Sequence, residues 1–309
     1  MNRNQTLFVS LLLAVWVIPM QANAQYHVES APEAVEVRGP DGTPIATYCR
    51  VVPENIELTV ESGGFFHPFN TPSGTTVTGL RPEDHLYHRG IFFAWFEMLG
   101  DVPADFWGWG QHAPTEGRRI ASRAIPRVAI GPEGVEFTAE NAWLIEDTAM
   151  VDETLEARVW QEDQANIMDL TYTVVPATDI TLPRRAFSGF CFRTRIDGEI
   201  RAFNQQGEVD LASPSHVDPE SNWPSEPWYA YEIRLEDKEA PVGAAVIDHP
   251  DNPESLWHNP TAIGMLNPVI MAQEDVHLPA QEPFVLRYRV VAFDGETPTA
   301  LLDRLYNAW

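Results

Sequence analysis

The chain has 309 residues, of which 45 are acidic and 20 basic, and its net charge at neutral pH is -25. Such a charge repels nucleic-acid phosphates and anionic lipid headgroups, which argues against nucleic-acid and membrane-surface partners. We therefore expect a small-molecule or neutral oligosaccharide ligand, and the sequence indicates no particular oligomeric state.

Residues 1–24 are predicted to form a secretory signal peptide. Arg3 precedes an apolar run over residues 7–18, and Ala22-Asn23-Ala24 has the small-residue pattern that signal peptidase accepts. The apolar run is too short for an ordinary transmembrane helix. We expect cleavage before Gln25 and export to the periplasm or the medium.

The rest of the chain has the pattern of many short strands separated by Pro and Gly, of which the chain contains 26 and 19. In chain order, the predicted strands cover residues 45–51, 56–60, 88–97, 127–130, 135–144, 151–160, 167–175, 187–195, 200–204, 228–235, 242–248 and 284–293. Residues 151–160 and 167–175 alternate polar and apolar side chains, which is typical of antiparallel strands with one buried face. A Pro-rich, acidic segment at 213–227 predicts a long surface loop, and such loops often carry function.

One helix is predicted at the C-terminus. Thr297 can cap it, Pro298 suits its first turn, and an apolar stripe follows at Leu301, Leu302, Leu305, Tyr306 and Trp309. The predicted fold is therefore all-β, a large antiparallel β-sandwich of the supersandwich type with one C-terminal helix. We expect residues 25–309 to form one domain, and a division near residues 176–186 is the alternative.

Cys49 and Cys191 are the only cysteines of the chain. In an exported protein they can form a disulfide bond, and two free buried thiols are the alternative.

The segment from His67 to Trp107 concentrates titratable and aromatic residues. His85 and His88 are three positions apart, with Asp84 before them. If His85 lies in a loop and His88 begins the next strand, both imidazoles can converge, and this spacing suits a divalent metal ion. The alternative is one structural and one exposed histidine.

Aromatic residues accompany this segment. Arg89 is expected on the strand face that carries Trp95, where a guanidinium can hold a carboxylate or a pair of sugar hydroxyls. A salt bridge to Glu97 or Asp84 is its alternative. Asp105 and Trp107 lie in a Gly-rich aromatic loop that could stack on a pyranose ring or form a small aromatic core.

A second cluster begins where the predicted strand 242–248 ends. Asp248 and His249 are followed by a Pro-rich turn and by Trp257 and His258. An aspartate beside a histidine can orient the imidazole as a general base. An Asx-turn with a structural histidine is the alternative.

These motifs resemble the bacterial PmoA-like family, a family of unknown function that once carried a methane oxygenase label. The similar motifs are Phe66-His67-Pro68-Phe69-Asn70, Asp84-His85-x-x-His88-Arg89-Gly90, Asp105-Phe106-Trp107, Ile247-Asp248-His249-Pro250, Trp257-His258 and Asn267-Pro268, over about residues 35–293. The resemblance implies a β-rich fold and, because members commonly accompany sugar-processing genes, a carbohydrate role. The chain departs from the family pattern at Tyr87, where members usually have His, and at Asn259, where Arg is common. These departures could mark an altered substrate.

Three hypotheses follow. The first is an exported hydrolase or lyase acting on an oligosaccharide in a cleft lined by tryptophans, including Trp109, with His88 and His249 as acid and base and Asp248 orienting. The expected substrate-binding residues are His67, Asp84, His85, Arg89, Trp95, Asp105, Trp107, Trp257 and His258. The second is a non-catalytic carbohydrate-binding protein. The third is a metal-dependent enzyme with His85, His88, His249 or His258, and Asp105 around a divalent ion.

Overall fold

The computed structural model describes residues 25–309, so the predicted signal peptide lies outside the described residues. These residues form twenty strands, two 3-10 helices at Pro219–Ser221 and Thr261–Ile263, and one α-helix. The strands are β1 (His27–Ser30), β2 (Ala34–Arg38), β3 (Pro44–Cys49), β4 (Phe65–Phe69), β5 (Ile91–Ala94), β6 (Arg118–Gly131), β7 (Gly134–Ile145), β8 (Thr148–Glu162), β9 (Ala165–Pro176), β10 (Ile180–Leu182), β11 (Gly189–Arg193), β12 (Glu199–Asn204), β13 (Gly207–Val209), β14 (Trp228–Arg234), β15 (Val242–Asp248), β16 (Leu256–Trp257), β17 (Met265–Leu266), β18 (Pro268–Val269), β19 (Val276–Leu278) and β20 (Phe284–Asp294), and the helix is α1 (Thr299–Asn307).

Two antiparallel sheets form the body of the fold. One has seven strands in the order β1-β2-β3-β4-β5-β11-β17, and the other has nine in the order β13-β12-β14-β15-β20-β9-β8-β7-β6. Along β8 the alternation predicted from sequence is present, since Val151, Glu153, Leu155, Ala157 and Val159 are buried and the residues between them are more exposed. The inner faces of both sheets share one apolar core. The predicted all-β sandwich is confirmed.

The predicted C-terminal helix is also confirmed. Its apolar residues Leu301, Leu302 and Leu305 pack on Trp228 and Val291 in the nine-stranded sheet. The predicted Thr297 cap is wrong, because Pro298 occupies the cap position and the Thr297 N–H donates to Glu232 Oε2 at 3.1 Å. No helix among the described residues is both long and apolar enough to span a bilayer.

Other predictions differ from the structure in informative ways. Residues 56–60 form no strand. The predicted strand 88–97 shortens to β5, because His88 N–H bonds to the His85 carbonyl at 3.0 Å and closes a turn before the strand. Gly90 then adopts a φ of 61°, and a Cβ there would lie 2.1 Å from the Phe66 carbonyl oxygen, so only glycine fits. Both histidines therefore lie in the loop that leads into β5.

The two cysteines are buried and unbonded to each other. The Cys49 thiol donates to the His67 carbonyl at 3.2 Å. The alternative of two free thiols is therefore the one that the structure adopts.

A hydrogen-bond network crosses the interior between the sheets. The Tyr48 hydroxyl on β3 donates to Asn141 Oδ1 on β7 at 2.9 Å, and the Asn141 amide donates to Glu153 Oε1 on β8 at 2.7 Å. The second carboxylate oxygen accepts from Trp143 Nε1 at 2.7 Å. Burial raises the pKa of Glu153 to about 7, although these two donors act in the opposite direction. The network holds β3 in one position against β7 and β8 because each buried polar group has a partner.

The raised pKa of Glu153 predicts a pH-dependent stability. An acid whose folded-state pKa exceeds its unfolded-state value stabilises the fold most below the unfolded value, and this stabilisation is lost as pH rises through the folded value. We expect the wild type to lose about 3 kcal/mol of unfolding free energy relative to Glu153→Gln between pH 4.5 and pH 7. Chemical denaturation across this pH range measures the difference.

Glu156→Gln is the matched control, because Glu156 lies on the exposed face of the same strand. Its curve is expected to run parallel to that of the wild type. A parallel curve for Glu153→Gln as well would contradict the proton uptake assigned to the buried carboxylate.

Candidate functional site

A pocket of about 310 Å³ opens where several loops converge. The loops are those before β5, after Trp107, between β13 and β14, and after β16. The lining residues are His85, Tyr87, His88, Trp109, Gln111, Phe187, Pro214, His216, His258, Pro260, Ile263 and Met265. Four of the nine histidines of the chain line this pocket, and none of its lining residues, all within the described part of the chain, is Asp or Glu.

His88 is held by a buried arginine. Nη1 of Arg193, at the end of β11, lies 3.2 Å from His88 Nδ1. Because a guanidinium can only donate, Nδ1 must be the acceptor, and the proton of the neutral ring is assigned to Nε2. Burial lowers the pKa of His88 well below its usual value, and the charges of Arg193, His85 and Arg89 lower it further. His88 therefore presents an N–H donor at the pocket wall.

His258 has the opposite arrangement. Its Nδ1 lies 2.9 Å from Asn222 Oδ1, and the Asn222 amide donates to the Ala186 carbonyl at 2.6 Å. The amide oxygen therefore faces the ring, so Nδ1 donates and Nε2 is left as an acceptor. Burial lowers the pKa of His258 to about 3, with a further contribution from His216. His258 is neutral at physiological pH and can accept a hydrogen bond from a ligand.

His85 is the pocket histidine with a carboxylate partner. Its Nδ1 lies 2.8 Å from Asp84 Oδ2, and its ring stacks on that of His88 with 4.7 Å between centroids. The other Asp84 oxygen lies 3.4 Å from Arg193 Nη2. Burial raises the pKa of Asp84, but its contacts with His85 and Arg193 outweigh this effect and keep the pKa below its usual value. Asp84 thus contacts His85 directly and is linked to His88 through Arg193, which contacts both Asp84 and His88.

Aromatic side chains form much of the remaining wall. Phe187 lies 5.0 Å from Trp109 and 5.3 Å from His258 between ring centroids. Tyr87 packs edge-on against His88 at 4.9 Å, and burial raises the pKa of its hydroxyl to about 12. Trp109 is half-buried, so part of its ring is accessible to a ligand. Such walls suit the apolar faces of a sugar ring.

Arg89 and Asp105 support the loop that carries Trp109. Arg89 is buried and donates to the Trp107 carbonyl at 3.1 Å and to the Phe106 carbonyl at 3.2 Å. The Asp105 carboxylate accepts from the backbone N–H groups of Gly108 at 2.7 Å and Gly110 at 2.6 Å. Both side chains are occupied by backbone partners and neither lines the pocket. The predicted sugar contacts of Arg89 and Asp105 are therefore not supported, and neither is the alternative salt bridge of Arg89.

The three tryptophans expected to bind substrate lie in the core. Trp95, Trp107 and Trp257 have no exposed surface. Trp107 packs edge-on against His88 at 5.8 Å, and Trp257 donates to the Glu226 carbonyl at 3.1 Å. A sugar cannot reach these buried rings. They instead form an aromatic core beneath the site, which was the alternative interpretation of the Gly-rich aromatic loop.

The other predicted site residues lie apart from the pocket. His67 Nδ1 lies 2.9 Å from Thr78 Oγ1, and burial lowers its pKa to about 4. Asp248 accepts from Asn252 Nδ2 and from Ser255 Oγ, both at 2.7 Å. Burial raises the pKa of Asp248 to about 6, despite these donors.

His249 is directed away from Asp248. Its Nδ1 accepts from the Asp251 N–H at 3.0 Å, and its ring lies 4.6 Å from that of Trp309. The predicted Asp248–His249 catalytic pair is wrong in geometry, because the local turn chemistry occupies both side chains.

A metal ion does not fit the pocket histidines. Across residues 25–309 no group of three or more His, Cys, Asp or Glu side chains is arranged to hold a metal. A cationic guanidinium occupies His88 Nδ1, and His249 lies elsewhere. The ligand set expected from sequence is therefore not assembled.

Several residues that line the pocket or hold its histidines were not identified from sequence. Arg193 is a charged residue at the end of an otherwise apolar strand, which is a signal of a buried charge with a specific partner. Pro214, His216 and Asn222 belong to the long loop at 213–227, which the sequence marks as a functional candidate. Nothing in the sequence distinguishes Phe187 from other buried aromatics.

The chain is similar to several solved structures, among them two galactosidases and a mutarotase-like protein. The galactosidase domain of an alpha-galactosidase-sucrose kinase is 13% identical, with a TM-score of 0.46 over 87% of this chain and 42% of that chain. A GH36 alpha-galactosidase from Geobacillus stearothermophilus is 10% identical, with a TM-score of 0.42 over 92% and 41%. A galactose mutarotase-like protein from Lactobacillus casei is 7% identical, with a TM-score of 0.38 over 86% and 99%.

The chain spans about two fifths of the length of these galactosidase chains. No functionally curated protein matches it. The model of a family of unknown function, DUF6807, matches residues 35–307, and the chain belongs to this family.

Proposed function

We propose that the pocket binds a sugar and that the protein is an exported carbohydrate-active enzyme, a hydrolase or a lyase. The observation that carries this proposal is the difference between the Nδ1 partners of three histidines in one pocket. Arg193 makes His88 a donor, Asn222 makes His258 an acceptor, and Asp84 pairs with His85. Export and the resemblance to the PmoA-like family stay predictions.

A sugar hydroxyl both donates and accepts hydrogen bonds. His88 Nε2–H and His258 Nε2 offer the two complementary groups, and Trp109 and Phe187 offer apolar surface for the ring. The two neutral imidazoles therefore bind and orient the substrate.

Proton transfer is assigned to His85. A carboxylate lies 2.8 Å from one of its ring nitrogens, which leaves the other nitrogen to exchange a proton with the substrate. Hydrolysis and elimination of a glycosidic alcohol both need a proton delivered to the leaving oxygen. A glycosidase mechanism with two carboxylates is not favoured, because no Asp or Glu of the described residues lines the pocket.

A non-catalytic sugar-binding protein is the second candidate. The neutral state of both His88 and His258 favours it, because neutral imidazoles can act as passive hydrogen-bond partners. Turnover measurements separate the two candidates.

The first test is kinetic. We expect His85→Ala to lower kcat by about 10²–10⁴-fold on neutral or uronic-acid-containing disaccharides while sugar affinity stays within about tenfold, because the variant loses proton transfer and keeps the binding groups. Product masses distinguish hydrolysis, which adds water, from elimination, which leaves an unsaturated sugar.

His249→Ala and His277→Ala are matched histidine controls outside the pocket, and both are expected to keep wild-type kcat and KM. Loss of turnover in His249→Ala would instead support the role of His249 as acid or base that was predicted from sequence. Sugar binding without turnover of any disaccharide would favour the binding protein.

A second test concerns the role of Arg193. We expect ¹⁵N shifts of the wild type to show His88 protonated at Nε2, because the guanidinium occupies Nδ1. Arg193→Met is expected to give a mixture of tautomers and a higher His88 pKa, since both the fixed donor and its charge are removed. An unchanged His88 spectrum in a folded variant would show that Arg193 does not set the tautomer.

A further inference from the structure

The pocket wall differs in charge from the rest of the molecule. Of the 309 residues, 45 are Asp or Glu, yet none of the pocket-lining residues in the described chain is acidic. Four other surface concavities of the described region each contain a carboxylate, from Asp294 and Glu296 beside α1 to Asp197 near β11. The exclusion of acidic side chains is therefore local to this pocket.

Two carboxylates close to the wall residues have partners of their own. Asp84 lies 2.8 Å from His85 and 3.4 Å from Arg193, so each of its oxygens has a partner. Asp105 is bound by two backbone N–H groups, and burial raises its pKa to about 6. Arg89 and Arg193 are fully buried beneath the pocket. In spite of the net charge of -25, both cationic side chains beneath the wall and partnered carboxylates therefore lie close to the pocket.

The polar groups of the wall also favour an anion. The N–H of His88 Nε2 is backed by the Arg193 guanidinium at 3.2 Å from the other ring nitrogen, which strengthens it as a donor to a negative group. Gln111 adds a side-chain amide at the same wall.

We infer that the sugar bound in this pocket carries a carboxylate, as a uronic acid does, held by His88 Nε2–H. This inference rests on the proposed function and replaces the neutral ligand expected from net charge. A carboxylate placed against a wall free of acidic side chains avoids the repulsion that it would meet at the other concavities.

The experiment compares two ligands that differ only at C6. Isothermal titration calorimetry with methyl β-D-glucuronide and methyl β-D-glucoside, repeated with the galacto pair, is expected to show at least about tenfold tighter binding of the uronide in one pair, weakening as salt is raised. Gln111→Glu places a carboxylate at the wall with little change of shape. It is expected to reduce the uronide preference, measured as the ratio of the two dissociation constants, about tenfold.

Gln273→Glu is the matched control, because it makes the same change of net charge at an exposed position outside the pocket. It is expected to bind both ligands like the wild type. Equal binding of uronide and neutral glycoside, or a preference that Gln111→Glu leaves intact, would overturn the inference and leave the proposed sugar site standing. If none of the four glycosides binds, the proposed sugar site fails, and this inference fails with it.

Discussion

The site depends on the burial of two guanidinium groups. A buried arginine is tolerated only where its donors have partners, because an unpaired charge in the interior is costly. Arg89, just before β5, meets this need at its Nη groups with the carbonyls of Phe106 and Trp107, and Arg193, at the end of β11, meets it at its Nη groups with His88 and Asp84, while the Nε of each guanidinium has no partner among the described residues. Each arginine thereby ties a loop of the pocket to the strands beneath it.

Strand pairing makes these contacts possible. β5 and β11 are neighbours in the seven-stranded sheet, and Arg193 N–H bonds to the Gly90 carbonyl at 2.8 Å. The register thus brings the guanidinium of Arg193 to the loop that carries His88. Phe92 and Trp107 pack against the ring of His88, and burial is the largest cause of the lowered pKa of this histidine.

Local and global electrostatics differ in this molecule. The net charge of -25 reflects side chains spread over the surface, where solvent and salt screen them. Around the pocket the nearby charges are few and partly desolvated: two arginines are buried, and Asp84 and Asp105 each have partners of their own. Three imidazoles have different Nδ1 partners, so His88 offers a donor at Nε2 and His258 an acceptor, while Asp84 lies beside Nδ1 of His85.

The sequence by itself determined most strands and the C-terminal helix, and it indicated much of the region in which the site lies. Three features depend only on residues that are close together in the chain: the alternation along β8 and β9, the apolar stripe of the terminal helix, and the spacing of His85 and His88. Such features can be read from the sequence, because period-two and helical patterns involve only near neighbours. Only the tertiary structure decided which residues meet. Arg193 reaches His88 across 105 positions, and Asn222 reaches His258 from a separate loop, because pairing between distant strands leaves no local pattern. For the same reason the adjacent pair Asp248 and His249 looked catalytic from sequence, whereas the fold gave each a separate partner in a tight turn.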